Sequence, residues 1–358
     1  MTRRELLLSI PALAIGVPRA YAQAARPVIP VKGLNHFTLA VSDLKRSLDF
    51  YQGLFGLPIQ ARQGATIVLR IGRGPQFLAL SAAGSTPPSI THFCMTVEDF
   101  NTDRIIAMLA PHGIRKGDTI QAAPGDGGRL TGGASGGPMH VRLRVRNPEA
   151  GGAKEGTPEL YVGDPDGIVV QLQDTTYCGG AGVLGNVCET RPEPSPTKGR
   201  LAVKDLSHVT ISVSDADRSN RFYQDLFGLP IRSRQGASLG LGVGPGVMFV
   251  MFIGAAGAGR SGGSAARPAS INHVCMSMEH FNPDDILETL ATYGISPRGD
   301  APGPVGPMKS YVSMRMPNRG GAPEGTPELY FTDPDGLLIQ LQDASYCGGG
   351  GFLGNQCA

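Results

Sequence analysis

The sequence predicts an α+β fold built from two copies of one domain, each copy a pair of βαβββ modules. Three observations predict it. The stretch PELYVGDPDGIVVQLQD at 158–174 returns as PELYFTDPDGLLIQLQD at 327–343. Upstream, LNHFTLAVSDLKRSLDFYQGLFGLPI is matched by LSHVTISVSDADRSNRFYQDLFGLPI, and SITHFCMTVEDFNTDRIIAML by SINHVCMSMEHFNPDDILETL. Inside each copy the apolar periodicity reads strand, helix, two or three strands, and then restarts. A repeat of this length is a duplicated domain rather than a solenoid.

Each element has a local reason. Residues 31–41 read as a strand. Ser42 or Asp43 caps a helix with Leu44, Leu48 and Tyr51 on its apolar side, and Gly53 and Gly56 mark its end. Strands follow within 67–71 and 77–80. The pattern restarts with a strand at 90–97, a helix at 101–112 closed by Gly113, and strands at 141–145, 159–162 and 168–173. In the second copy Asn282 is a helix N-cap with Pro283 at the first helical position. The Asp-Pro-Asp-Gly turn closing each copy combines a preset φ at Pro with a positive φ at Gly. Between the copies, TRPEPSPTKGR at 190–200 reads as a linker, giving domains at 31–189 and 201–358. The copies differ in Gly-rich insertions around Gly132 and Gly262, which read as mobile rims or lids.

Composition narrows the class. The 358 residues are 41% hydrophobic and 17% charged, enough for ordinary cores, and a formal net charge of +2 offers nucleic acid no attraction. Residues 1–24 read as an export signal: Arg3 and Arg4 precede an apolar run, and Ala20-Tyr21-Ala22 offers a cleavage site. The TRRELL order is twin-arginine-like, with a Sec signal as the alternative. The run is too short, and too interrupted by Pro11, to span a membrane. A periplasmic or secreted protein is expected, with no membrane span in the mature chain. The cysteines fit that compartment. Cys178 with Cys188, and Cys347 with Cys357, bracket short Gly-rich loops and read as local disulfides; Cys94 and Cys275, in strands, read as free thiols.

Strand parity gathers the polar residues. His36, His92 with Cys94, and Gln171 fall on the less apolar face of the first copy; His208, His273 with Cys275, and Gln340 do so in the second. Taken singly, each histidine reads as a satisfied polar residue of a mixed sheet. The matched recurrence of two histidines and a glutamine favours a site. His112, His140 and His280 are not shared between the copies and read as surface or loop residues. Arg142, Arg144 and Arg315, on the strand before the closing hairpin, read as a solvated face, with contact to an anionic substrate as the alternative.

Paired βαβββ units, the Asn-His strand start at Asn35-His36, FYxxLFGLP and the DPDG turn together resemble the vicinal oxygen chelate superfamily. That family includes glyoxalase I, extradiol dioxygenases, fosfomycin-resistance enzymes, methylmalonyl-CoA epimerase and bleomycin-binding proteins. The resemblance implies tandem domains, each a curved mixed sheet around a concave site. It also implies a divalent transition metal (Fe, Mn, Zn or Cu) held by His36, His92 and Gln171, and by His208, His273 and Gln340. Most metal-dependent members carry glutamate where this chain has glutamine, which removes one negative charge from the site. Glyoxalase I-like sites take a fourth ligand from the strand before the second histidine; FLAL and FVMF supply none, so glyoxalase I activity is disfavoured. Tyr161 and Tyr330, each ten residues before the glutamine, match a substrate-touching tyrosine of extradiol dioxygenases, with plain strand packing the alternative. The acid–base histidine of those enzymes has no counterpart between His36 and His92 or between His208 and His273. Cys94 and Cys275 read as inert buried thiols, or as soft ligands favouring copper or zinc. The reading is a metal-dependent enzyme, a dioxygenase or a lyase, acting on a small oxygenated molecule, aromatic or catecholic, against a binder of the bleomycin-resistance type; a lyase or isomerase of the epimerase type would need a carboxylate base that the sequence does not place. Substrate and oligomeric state are left open.

Overall fold

The computed structural model describes residues 29–122, 134–189, 191–254, 268–299 and 305–357. The export segment and the insertions around Gly132 and Gly262 lie outside the described residues.

The first module is β1 (Val31–Val41), α1 (Leu44–Phe55), β2 (Ile59–Gln63), β3 (Thr66–Arg70) and β4 (Phe77–Ala82). The second adds β5 (Ser89–Val97), α2 (Thr102–Leu109), short β6 (Arg115–Lys116) and β7 (Ile120–Ala122), then β8 (His140–Arg146), β9 (Thr157–Gly163) and β10 (Val169–Asp174). The second repeat begins with β11 (Val203–Val213), α3 (Ala216–Phe227), β12 (Ile231–Gln235), β13 (Ser238–Gly242) and β14 (Phe249–Gly254). It ends with β15 (Ser270–Met278), α4 (Pro283–Thr292), β16 (Ser296–Pro297), β17 (Lys309–Arg315), β18 (Thr326–Thr332) and β19 (Leu338–Asp343). The short strands β6, β7 and β16 carry too few residues for any periodicity to announce them.

Local chemistry sets the helix ends. Asp43 and Asp215 accept hydrogen bonds from the third backbone N–H beyond them, and Gly56 and Gly228 close their helices at φ 68 and 65°. Each repeat forms one mixed sheet. The first runs β2-β3-β4-β1-β5-β10-β9-β8-β6, and the second repeats that order as β12-β13-β14-β11-β15-β19-β18-β17-β16. The modules of a repeat therefore meet where β1 lies antiparallel to β5, and β11 to β15.

Register then fixes the faces. Phe77, His36, Cys94, Gln171, Tyr161 and Arg142 are successive cross-strand neighbours from β4 to β8 and share one face. The second repeat places Phe249, His208, Cys275, Gln340, Tyr330 and Tyr311 in the same row. On the opposite face Leu39, Phe93, Met95, Val170 and Leu172 are buried, in an apolar core that continues into the other repeat. The helices lie in that core: Phe50 and Phe55 of α1 pack on Phe331 of β18 at 6.3 and 6.0 Å between ring centroids.

The DPDG turns do more than reverse the chain. Asp335 accepts hydrogen bonds from the backbone N–H and hydroxyl of Ser42 and pairs with Arg46, at the start of α1 in the other repeat. Asp166 reciprocates with Ser214 and Arg218 at the start of α3. Deeper in, Tyr51 donates to Asp333 and Tyr223 to Asp164, at 3.1 and 3.4 Å. Each turn thus clamps the first helix of the opposite repeat. The proline-rich segment is docked as well, with the Ser195 and Thr197 hydroxyls donating to the Gln52 carbonyl. No helix among the described residues is long and apolar enough to cross a membrane.

Candidate functional site

The sheet centre brings the predicted polar residues together in both repeats. His36 and His92 stand edge to face, 5.5 Å between centroids, and His208 and His273 match them at 5.5 Å. Phe77 stacks on His36 at 4.2 Å and Phe249 on His208 at 4.4 Å. An aromatic ring thus occupies the strand position where no fourth ligand was expected.

Neighbouring groups fix the histidine tautomers. Asn35 commits its amide N–H to the Tyr177 carbonyl, so its oxygen, 2.8 Å from His36 Nδ1, accepts the imidazole proton there. Thr91 gives its hydroxyl proton to the Thr38 carbonyl, so its oxygen accepts from His92 Nδ1 at 3.0 Å. His273 Nδ1 likewise donates to Asn272 Oδ1 at 2.9 Å. In each case Nε2 is left with its lone pair, which at His92 faces the Thr38 hydroxyl at 3.2 Å. His36 Nε2 faces Gln171 Oε1 at 3.0 Å, and His208 Nε2 faces Gln340 Oε1 at 3.1 Å. Among the described residues His273 Nε2 and both glutamine Nε2 atoms are buried without a hydrogen-bond partner. Burial holds His36 and His208 well below the usual imidazole range and lowers His92 and His273 to about 4. All four rings are neutral, the state that ligates metals. Among the described residues no three His, Cys, Asp or Glu side chains converge as a metal group, so any such site needs the amide oxygen.

Beneath this centre lies a network that strand parity alone did not reveal. Glu159, fully buried, accepts from Arg146 Nε at 2.9 Å, Arg144 Nη1 at 3.2 Å, the Tyr177 hydroxyl at 2.9 Å and the Tyr161 hydroxyl at 3.2 Å. Glu328 does the same with Arg315 Nε at 2.8 Å and the Tyr346 hydroxyl at 3.0 Å. Arg144 and Arg315, read as a solvated face, are in fact buried. A charged side chain goes inside when its partner waits on the adjacent strand, and Arg144 lies directly opposite Glu159 in register. The recurrence of Glu in both PEL-Tyr strands, and of Tyr-Cys-Gly-Gly in both loops, was the available signal. Burial opposes ionisation of Glu159, but the two guanidinium groups outweigh it and hold the carboxyl low. Tyr161 lies edge-on to His92 at 5.5 Å, and burial next to Glu159 keeps its phenol protonated. Tyr330 takes the same place beside His273 at 5.3 Å. The Cys94 and Cys275 thiols are buried in the same rows, raised by desolvation and bonded to backbone carbonyls. Disulfides join Cys178 to Cys188 and Cys347 to Cys357.

A cavity opens over each centre. The first, of about 900 Å³, is lined by His36, His92, Gln171, Tyr161 and Arg144, with part of its wall from Ser270 and Ile271 of the other repeat. The second, of about 230 Å³, is lined by His208, His273, Gln340, Tyr330, Tyr311 and Arg319.

The family model described as the Glyoxalase/Bleomycin resistance protein/Dioxygenase superfamily matches residues 33–172 and 205–341. The chain belongs to this superfamily. A curated member, glutathione transferase FosA from Serratia marcescens, is 40% identical over 76 residues, which is 20% of this chain; the chain spans about half (54%) of that relative. Among solved structures, homoprotocatechuate 2,3-dioxygenase from Arthrobacter globiformis shares the fold at 17% identity and TM-score 0.52, over 88% of this chain and 81% of that one. The Mn(II)-bound glyoxalase from Novosphingobium aromaticivorans does so at 13% identity and TM-score 0.52, over 87% and 82%. At such identities the likeness is one of fold. The superfamily's tandem arrangement is present here as two complete sheets, each with its polar centre.

Proposed function

We propose that the chain is an exported, metal-dependent enzyme of this superfamily. It holds a divalent transition metal (Fe, Mn, Zn or Cu) at His36, His92 and Gln171 and another at His208, His273 and Gln340. It acts on a small oxygenated molecule of aromatic size, in chemistry of the dioxygenase kind. One observation carries the reading: in the first repeat the neutral His36 Nε2 and the Gln171 amide oxygen face each other as two acceptors with no proton between them, and His208 Nε2 and Gln340 Oε1 stand in the same relation of place at 3.1 Å in the second. Facing lone pairs beside a second neutral imidazole are relieved by a cation, and two imidazoles with an oxygen donor suit these metals. When bound, the metal would supply Lewis acidity toward adjacent substrate oxygens. The chain's own residues do the rest. Phe77 and Asn35 hold His36 in place, and the cavity walls screen the centre from bulk water. Tyr161, held by its hydroxyl's hydrogen bond to Glu159, lines the cavity beside His92. Because the ligands are neutral, an anionic substrate oxygen balances the metal's charge, so metal and ligand bind cooperatively.

Export is supported by the two disulfides, which suit an oxidising compartment, and by the character of residues 1–24. Domain limits of 31–189 and 201–358 belong to the same proposal. A second reading, a binder of the bleomycin-resistance type, is favoured by the missing carboxylate; there each amide is turned so that Nε2 donates to the imidazole. The test is to strip the protein, reload it with each of the four metals with and without catechol or an α-hydroxyketone, desalt it, and measure metal content. Retention that rises with the organic ligand is expected. No retention under any condition would replace the enzyme reading with the binder.

A further inference from the structure

The two repeats agree at the polar centre and differ one strand away. Arg144 in β8 corresponds to Ser313 in β17, and Arg142 to Tyr311, since each pair occupies one register position opposite the Glu-x-Tyr strand. Three consequences follow from these exchanges. Among the described residues the buried carboxylate of Glu159 meets two buried guanidinium groups in the first repeat, whereas Glu328 meets only Arg315. Beneath the first centre two buried guanidinium groups thus share one buried carboxylate, and beneath the second one guanidinium meets one carboxylate. Arg144 spends only Nη1 on Glu159, at 3.2 Å, while Arg146 takes the other carboxylate oxygen at 2.9 Å, and among the described residues Arg144 Nε is buried without a hydrogen-bond partner. Finally, Tyr311 stacks on Tyr330 at 5.1 Å with Arg298 over its face, at the wall of a cavity of about 230 Å³ against about 900 Å³ in the first repeat. Among the described residues the one cation lining the second cavity, Arg319, is solvent-exposed, where its charge is screened.

A buried guanidinium that shares its carboxylate, at the edge of a roomy, partly apolar cavity, is an unfilled anion subsite. We propose that the first repeat is the substrate site and takes an aromatic-sized molecule bearing a carboxylate, bound by Arg144, while the second repeat lacks this subsite. The carboxylate is a group separate from the oxygens that face the polar centre. This deepens the proposed function, and rests on its assignment of the histidine–glutamine centre as the place where substrate oxygens bind. No covalent step is involved.

The experiment is calorimetric titration of the full-length chain with 3,4-dihydroxybenzoate and with catechol, in metal-loaded and in EDTA-treated protein. The expected result is one dihydroxybenzoate per chain, bound at least tenfold more tightly than catechol in both preparations. Arg144→Gln should reduce that preference to about twofold, and Arg144→Lys should restore part of it. A simple packing role for Arg144 predicts instead equal losses for both ligands. Should Arg144→Gln fail to fold, the wild-type preference and stoichiometry still decide. Absence of a preference, two equal sites per chain, or no binding of either ligand overturns the subsite. Metal that is never retained while the preference persists overturns the metal reading alone.

Discussion

At the scale of the residue, the site rests on side chains whose charges are settled by their neighbours. Glu159 is the clearest case. It sits fully buried between Arg144 and Arg146 and anchors the Tyr161 and Tyr177 hydroxyls. Removing one member of such a cluster leaves uncompensated buried charge, which costs about 3–5 kcal/mol. Glu159→Gln is therefore expected to lower unfolding free energy by about that amount in urea denaturation. Glu328→Gln, which strands only Arg315, is expected to cost less; equal losses would contradict the charge count of two guanidinium groups against one. The polar centre itself was legible from alternation in the strands, because His36, His92 and Gln171 recur in matched positions. The arginines were not, since their burial depends on a carboxylate thirteen or fifteen residues away on the next strand.

At the scale of the element, the DPDG turn was legible as a turn and illegible as a clamp. Its local geometry follows from its own residues: Asp164 Oδ1 accepts the N–H groups of Asp166 and Ile168, and Gly167 adopts φ 82°. Its contacts with the first helix of the other repeat span hundreds of residues and leave no trace in periodicity. Burial raises the Asp164 and Asp333 carboxyls to about 6. A carboxyl whose folded pKa is raised contributes stability fully below its unfolded value near 3.8 and loses it as pH rises through about 6. Two pKa units correspond to about 2–3 kcal/mol for each group. The buried histidines act oppositely, withdrawing stability as pH falls below about 6.5, so the clamp is read as a difference. The Asp164→Asn, Asp333→Asn double variant should gain melting temperature relative to wild type as pH is raised from about 4.5 to 7.5. A difference constant across that range would show that these carboxyls do not titrate in the folded clamp.

At the scale of the whole molecule, duplication was plain in the sequence, and so was the order of elements in each copy. What duplication concealed was divergence. The repeats keep the same rows of His, Cys, Gln and Tyr across their sheets, yet exchange Arg144 for Ser313 and Arg142 for Tyr311. Those exchanges look minor in an alignment of the copies, because cavity volume is set by how side chains fill space rather than by residue class. The central claim is that each polar centre is a metal site and that the two load independently. The most direct measurement is metal content per chain after saturation and desalting, in the presence of catechol, for wild type, His36→Ala, His208→Ala and the double variant. The account predicts about two, one, one and no equivalents, with all four proteins folded by circular dichroism. Equal metal content in all four, or none in the wild type, would contradict it.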